Sequence, residues 1–146
     1  MKSEKFDIVK LSPEMDESIF ALETAVFEEP WTKKNIEDEF SHGELYGINE
    51  GVRVVAYIAL RITLDEAELL RIGVLKEFRR LGLGRKMVDF AFESLRNKGC
   101  KSIFLEVKAS NEKAISLYSA SGFAISGRRP RYYRNGEDAI LMQKVL

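Results

Sequence analysis

The stretch from Glu68 to Val107 limits the fold most. It runs from an apolar segment, "ELLRIGVL", through "KEFRRLGLGR" and an amphipathic "KMVDFAFESL" to a second apolar segment, "SIFLEV". Apolar runs of that length read as strands, and the middle segment carries the 3.6-residue period of a helix. The helix ends at Asn97-Lys98-Gly99, with cations in its last turn and a glycine just past it. The unit is β-α-β, so a mixed sheet must accommodate it.

The flanks extend that sheet. "KFDIVKL" alternates as a strand, and Ser12-Pro13 reads as an N-cap and first helical residue before "EMDESIFALETAVF". Met15, Ile19, Leu22 and Val26 keep helical spacing there. "EEPWTKKNIEDEF" reads as a loop and a second helix capped by Thr32. "ELYGINE", Gly51 and "VRVVAYIALRIT" make a hairpin. After the β-α-β unit comes a helix capped by Asn111 and closed by Gly122. A final hairpin turns at Asn135-Gly136. The expected class is α/β, an α+β mixed sheet of seven strands with helices on both faces. The expected order is β-α-α-β-β-β-α-β-α-β-β. Residues 1–146 read as one domain, without repeats or linkers.

Lys and Arg total 23, as do Asp and Glu, so charge gives no general pull toward nucleic acid or membrane. One cysteine, Cys100, allows no internal disulfide and no cysteine-based zinc cluster. It reads as structural, and His42 stands alone as a surface residue, so no metal site is expected. No signal-peptide core and no membrane-length apolar run is visible, and a cytoplasmic protein is expected.

Three phosphate-binding designs compete for "RRLGLGRKM". A Walker loop is absent. A dinucleotide fold has a glycine where Met87 stands, and the strand ends near Val74, well before Gly82. Glu106 does close the next strand as a ribose-binding acid would, so that design is weakened and not excluded. The third is R-x-x-G-x-G, here Arg79, Gly82 and Gly84. Its glycines leave N–H groups bare at a helix N-terminus, where a pyrophosphate can reach them. On the motif alone, a basic surface loop with two turn glycines stays open.

The strings "LLRIGVLKEFRRLGLGRKMVDFAFESL" and "IFLEVKASNEKAISLYSASGF" resemble the Gcn5-related N-acetyltransferases (GNAT). "EEPWTKKNIEDEF" and "RRPRYYRNGEDAILM" are similar to the ribosomal-protein-alanine N-acetyltransferase (RimI-like) branch. The resemblance implies acetyl-CoA as donor and a peptide N-terminus, of a ribosomal protein, as acceptor. It implies that Ile72, Gly73 and Val74 offer backbone groups to the acetyl-pantetheine arm. Arg80, Leu81, Gly82, Leu83, Gly84 and Arg85 would wrap the pyrophosphate, and Asn111 would touch the cofactor arm.

Acetyl transfer from a thioester to an amine needs a base, a donor for the developing oxyanion and an acid for the thiolate. Glu106 ends a buried strand, where partial burial would raise its pKa toward neutrality. A solvated strand-end acid is the bland reading, and the resemblance favours the base. Tyr118 lies two helical turns from Asn111 and shares its face. It reads as a core aromatic by pattern and as the acid by resemblance. Val74 N–H would meet the oxyanion, which requires a strand irregularity that Gly73 would supply. On the acceptor side stand Trp31, beside Phe27 and Pro30, and the pair Tyr132 and Tyr133 near the last hairpin's tip. Trp31 reads equally as a staple on the following helix. The two tyrosines read equally as one inward and one outward side chain. A lysine or small-amine acetyltransferase, a non-catalytic acyl-CoA sensor and a dinucleotide module remain as rivals.

Overall fold

The chain runs β1 (Val9–Lys10), α1 (Asp16–Val26), α2 (Lys33–His42), β2 (Glu44–Glu50), β3 (Arg53–Thr63), β4 (Glu66–Val74), α3 (Leu83–Asn97), β5 (Ser102–Lys108), α4 (Glu112–Ala120), β6 (Ala124–Arg129) and β7 (Ala139–Val145). This is a computed structural model and describes residues 6–146, so the start of the first expected strand, at Lys5, lies outside the described residues. The element order is the expected one. The strands form one sheet in the order β1-β2-β3-β4-β5-β7-β6. Of the neighbouring pairs, β4 and β5 alone run parallel. That follows from the α3 crossover, which a hairpin cannot replace.

Local chemistry accounts for the helix ends. Thr32 Oγ1 accepts from the Asn35 N–H at 3.1 Å, and Asn35 Oδ1 accepts from the Thr32 N–H at 3.0 Å, a reciprocal cap on α2. Asn111 Oδ1 accepts from the Ala114 N–H at 3.2 Å and starts α4. Ser12 does not cap α1. Pro13–Met15 form a 3-10 turn first, and Ser12 Oγ donates to Glu14 instead. The last hairpin is also looser than Asn135-Gly136 suggests. Residues 130–138 form a loop between β6 and β7, and the Asn-Gly pair makes a small turn within it, with Gly136 N–H donating to Tyr133 O.

The helices divide between the two faces. On the front face, Tyr57 of β3 reaches Glu23 of α1, and Arg61 of β3 reaches Glu39 of α2. On the back, α3 buries Met87, Val88, Ala91, Phe92 and Leu95 against the sheet. α4 joins it through Leu117, which lies beside Gly84. Burial alternates along β5, with Ile103, Leu105 and Val107 in the core and Phe104, Glu106 and Lys108 half-exposed. The front of β5 is therefore left partly open.

Pairing between β4 and β5 spans Glu66–Glu68 with Ser102–Phe104 and then stops. Just beyond, β4 carries a bulge against β3. Leu69 pairs with Leu60 and Arg71 with Ala59, leaving Leu70 as the extra residue. A bulge bends its strand. The carboxyl halves of β4 and β5 thus part, while β3 and β7 still hold their outer edges.

Glu44 joins β1, β2 and the end of α3. It accepts from Tyr46 Oη at 2.7 Å and from Lys98 Nζ, and Lys10 Nζ lies 3.9 Å away. Burial works against its charge, but the Lys98 and Tyr46 hydrogen bonds outweigh that and hold its pKa below the ordinary 4.5. A depressed folded-state pKa stabilises above the unfolded value, and the gain disappears as pH falls through the folded value. Glu44→Gln should therefore cost about 0.5–1.5 kcal/mol at pH 7. Urea unfolding across pH should show the two proteins converging below pH 4.5.

Candidate active site

The gap between β4 and β5 has a defined hydrogen-bonding edge. Leu75 N–H donates to Val55 O at 2.9 Å, and Gly73 pairs with Tyr57. Strand alternation then turns the backbone groups of Gly73 and Leu75 toward β3. Those of Ile72 and Val74 turn away, into the gap, where β5 offers no ladder partner. The Val74 carbonyl accepts from Arg79 Nε at 3.0 Å, and its N–H turns into the gap without a ladder partner on β5.

Gly73 is not the irregularity that sequence reasoning expected. The bulge lies at Leu70, and Gly73 sits in regular register. Its lack of a side chain has another cause. A Cβ there would stand 3.0 Å from the Phe27 ring and 3.2 Å from Leu22 Cδ2, so α1 and its following loop occupy the space.

Beyond the gap, the chain turns sharply into α3. Arg80 (φ +64°) and Gly82 (φ +77°) are both left-handed, and Gly82 is the N-cap. The first turn of α3 therefore presents unpaired N–H groups beside the gap's mouth. Arg79, Arg80 and Arg85 are exposed around it. Arg79 braces Val74 and Arg85 Nε donates to Asp89 at 3.1 Å. The Arg80 guanidinium makes no ion pair among the described residues. Leu81 is half-buried and Leu83 is buried, so both anchor the loop to the core. Gly84 leaves room for Leu117 Cδ2, 3.4 Å from where a Cβ would stand. Cations, bare N–H groups and an apolar anchor fit a pyrophosphate with an apolar arm attached.

Glu106 faces the front side, with its side chain 28% exposed. Arg129 Nη2 lies 4.0 Å from its carboxylate. The Glu106 carboxylate, as hydrogen-bond acceptor and as negative charge, pushes the Tyr132 phenol up. Glu68 is pushed up by burial and by the charge of Glu106. A second carboxylate beside the first favours a cation between them. Sequence reasoning missed Glu68, because β4 and β5 become neighbours only through the crossover.

Tyr118 lies on the other face. It is 5% exposed, and its ring packs edge-on against Phe123 at 5.6 Å, next to Phe92 of α3. Burial pushes its phenol well above the ordinary 10.0, so it stays protonated at neutral pH. Helix α4, with Asn111 at its cap, runs beside the start of α3 through the Leu117–Gly84 contact. Glu106 and Tyr118 thus lie on opposite faces of the sheet.

Residues 27–32 and 130–138 flank the open front of β5. Tyr132 and Tyr133 meet edge-on at 5.2 Å. Arg129 lies over the first ring and Lys108 over the second. Both rings are loop residues, so strand alternation does not apply to them. Trp31 precedes the Thr32 cap, and its ring lies 4.9 Å from the Arg71 guanidinium. It also walls a groove of about 370 Å³ with Asn35, Asp38, Glu39, His42 and Arg61.

Behind this loop lies a polar cluster that no motif announced. Glu23 is 0% exposed, in the apolar stripe of α1. It accepts from Tyr57 Oη, from Arg71 Nη2 at 2.8 Å and Nε at 3.2 Å, and from the Trp31 N–H at 2.8 Å. Among the described residues, no group of three or more His, Cys, Asp or Glu is arranged to hold a metal, and no helix is long and apolar enough to cross a membrane.

The sequence matches the Acetyltransferase (GNAT) family over residues 16–123. It is 36% identical over 119 residues to the [ribosomal protein bS18]-alanine N-acetyltransferase of Salmonella typhimurium, covering 77% of this chain and 79% of that one. The fold matches the crystal structure of the ribosomal-protein-S18-alanine N-acetyltransferase from Escherichia coli with a TM-score of 0.89, 29% identity, and coverage of 96% and 93%. It also matches Ard1 from Thermoplasma volcanium with a TM-score of 0.87, 27% identity and 97% coverage of both chains.

Three glycine variants separate packing from backbone strain. Gly73→Ala drives a methyl into Phe27 and should cost about 1–3 kcal/mol. Gly82→Ala imposes a left-handed residue with a side chain and should cost about 1–2 kcal/mol. Gly84→Ala meets Leu117 at ordinary contact and gains helix propensity, so it should stay within about 1 kcal/mol of the parent. Thermal melts of the three variants check that order.

Proposed function

The chain belongs to the acetyltransferase (GNAT) family and uses acetyl-CoA as its acetyl donor, and we propose that its acceptor is the N-terminal α-amine of a ribosomal protein that begins with alanine. The observation that carries this reading is the 36% identity to a relative named for that acceptor, over 77% of the chain. The open front of β5, edged by Glu106, Tyr132 and residues 27–32, supports it, because a chain terminus needs an uncovered approach. Residues 1–146 act as one domain in this reading, and a cytoplasmic site of action follows from the acceptor.

The residues divide the work by face. Arg80 to Arg85 and the first N–H groups of α3 hold the pyrophosphate. Ile72 and Val74 offer the backbone edge along which the acetyl-bearing arm lies, and Asn111 borders the same passage. Gly73 leaves room behind that edge for Phe27. Arg79 braces the edge by holding the Val74 carbonyl. The acceptor ammonium enters from the front and is drawn to Glu106 and Glu68. An α-amine has a pKa of about 7.7–8.0, so its deprotonation is only mildly uphill, and Glu106 takes the proton directly or through water. The free amine attacks the thioester carbonyl and forms the C–N bond. Val74 N–H stabilises the oxyanion. As the C–S bond breaks, Tyr118 gives its proton to the departing thiolate. The amide nitrogen's surplus proton restores the Tyr118 phenol through solvent, and Glu106 passes its own proton to solvent, so one proton is released per turnover. Trp31, Tyr132 and Tyr133 wall the acceptor's path.

A labelled acetyl-CoA assay should favour a peptide with a free N-terminal alanine over an N-terminally blocked peptide that carries lysine. A lysine amine, with pKa of about 10.4, makes a heavier demand on the base. Preference for the blocked lysine peptide would overturn the acceptor assignment. Glu106→Gln should lower kcat/KM by about 10²–10⁴-fold, most on the acid side of the pH profile, and Tyr118→Phe should lower kcat with acetyl-CoA binding unchanged. If neither substitution changes the rate by as much as about tenfold, the enzyme works by positioning alone.

A further inference from the structure

Arg71 touches nearly every residue that shapes the loop between α1 and α2. Its Nη2 donates to the Glu29 carbonyl at 2.8 Å. Its guanidinium lies 4.2 Å from the centre of the Phe27 ring and 4.9 Å from that of Trp31. The same guanidinium grips both oxygens of Glu23. Glu23 holds the loop independently by accepting from the Trp31 N–H. Residues 27–32 contain no helix or strand of their own. Arg71 itself sits on β4, three residues before Val74 and two before Gly73, on whose bare backbone Phe27 rests.

We propose that the Glu23–Arg71 pair is a positioning device for the acceptor. It sets the wall formed by Phe27, Glu29 and Trp31 and locks that wall to the strand that carries Val74. The proposal rests on the acceptor reading above. A purely structural pair would be an odd choice at this place. Burying a carboxylate in the apolar stripe of a helix is costly, and apolar side chains of similar size often stabilise a core as well or better. What an apolar pair cannot do is fix a carbonyl, a backbone N–H and two aromatic rings from one point. Arginine is suited to this, because its planar fork bonds and stacks at once and a lysine does not. Tyr57, the remaining partner of Glu23, completes the carboxylate's coordination from β3.

The chain holds one tryptophan, Trp31, so its fluorescence reports this loop alone. The test compares the parent with Arg71→Lys and with the double variant Glu23→Leu/Arg71→Met, which removes both charges. Acrylamide quenching of Trp31, thermal melting, and KM and kcat for acetyl-CoA and for an alanine-initiated peptide are measured for each. Arg71→Lys should raise the peptide KM by about tenfold or more, with acetyl-CoA KM and kcat within about threefold of the parent, the pattern of lost acceptor binding alone. Trp31 should become more quenchable. The double variant should recover the melting temperature, because no unpaired charge is left buried. It should still show the raised peptide KM and the quenchable Trp31. Recovery of peptide KM and of Trp31 shielding together with stability would overturn the proposal, as would an equal rise in both KM values. A parent enzyme that ignores the alanine peptide would instead refute the acceptor reading, and Trp31 quenching would then decide the positioning claim by itself.

Discussion

The gap at the centre of this fold depends on two parallel strands that stop pairing halfway. Backbone groups in a sheet interior are normally committed to the ladder, and leaving them unpaired is costly. The cost is tolerable here because β4 is held along its length by β3 and β5 by β7. Losing the inner ladder therefore does not dissolve the sheet. The Leu70 bulge bends β4 just past the last β4–β5 pair. The result is a slot with one hydrogen-bonding wall and with the N-terminus of α3 at its end.

The sheet also keeps a carboxylate and a phenol apart, one on each of its faces. Glu106 stands on the front face, half-exposed, among Glu68, Arg129 and the Tyr132 phenol. Tyr118 stands on the back, in an aromatic cluster that keeps its proton on. A continuous sheet would separate them completely. Where β4 and β5 part, that separation is interrupted.

Glu23 shows a local rule broken and repaired by tertiary contacts. Helical spacing gives α1 an apolar stripe through Ile19, Leu22 and Val26, and Glu23 falls inside the buried surface. Alone, a carboxylate there would be strongly destabilising. Four donors from β3, β4 and the loop before α2 meet its two oxygens. The same donors bring the loop against the strand that ends the slot, so the repair of a core defect also fixes where residues 27–32 lie.

Periodicity, caps and turn residues in the sequence determined the element order, the β-α-β crossover, the Thr32 and Asn111 caps and the Arg/Gly entry into α3. These depend on neighbours within a turn or two of chain, so local pattern suffices. Tertiary structure decided the rest. The bulge at Leu70 has no signature, because "LLRIG" alternates no differently from a regular strand. Gly73 is bare because Phe27, from a distant loop, fills the space. Glu68 faces Glu106, and Arg71 meets Glu23 and Trp31, across separations that no local pattern encodes. Such contacts arise only when the sheet order and register place distant strands side by side, and the pairing energies that fix that order are spread over the whole fold.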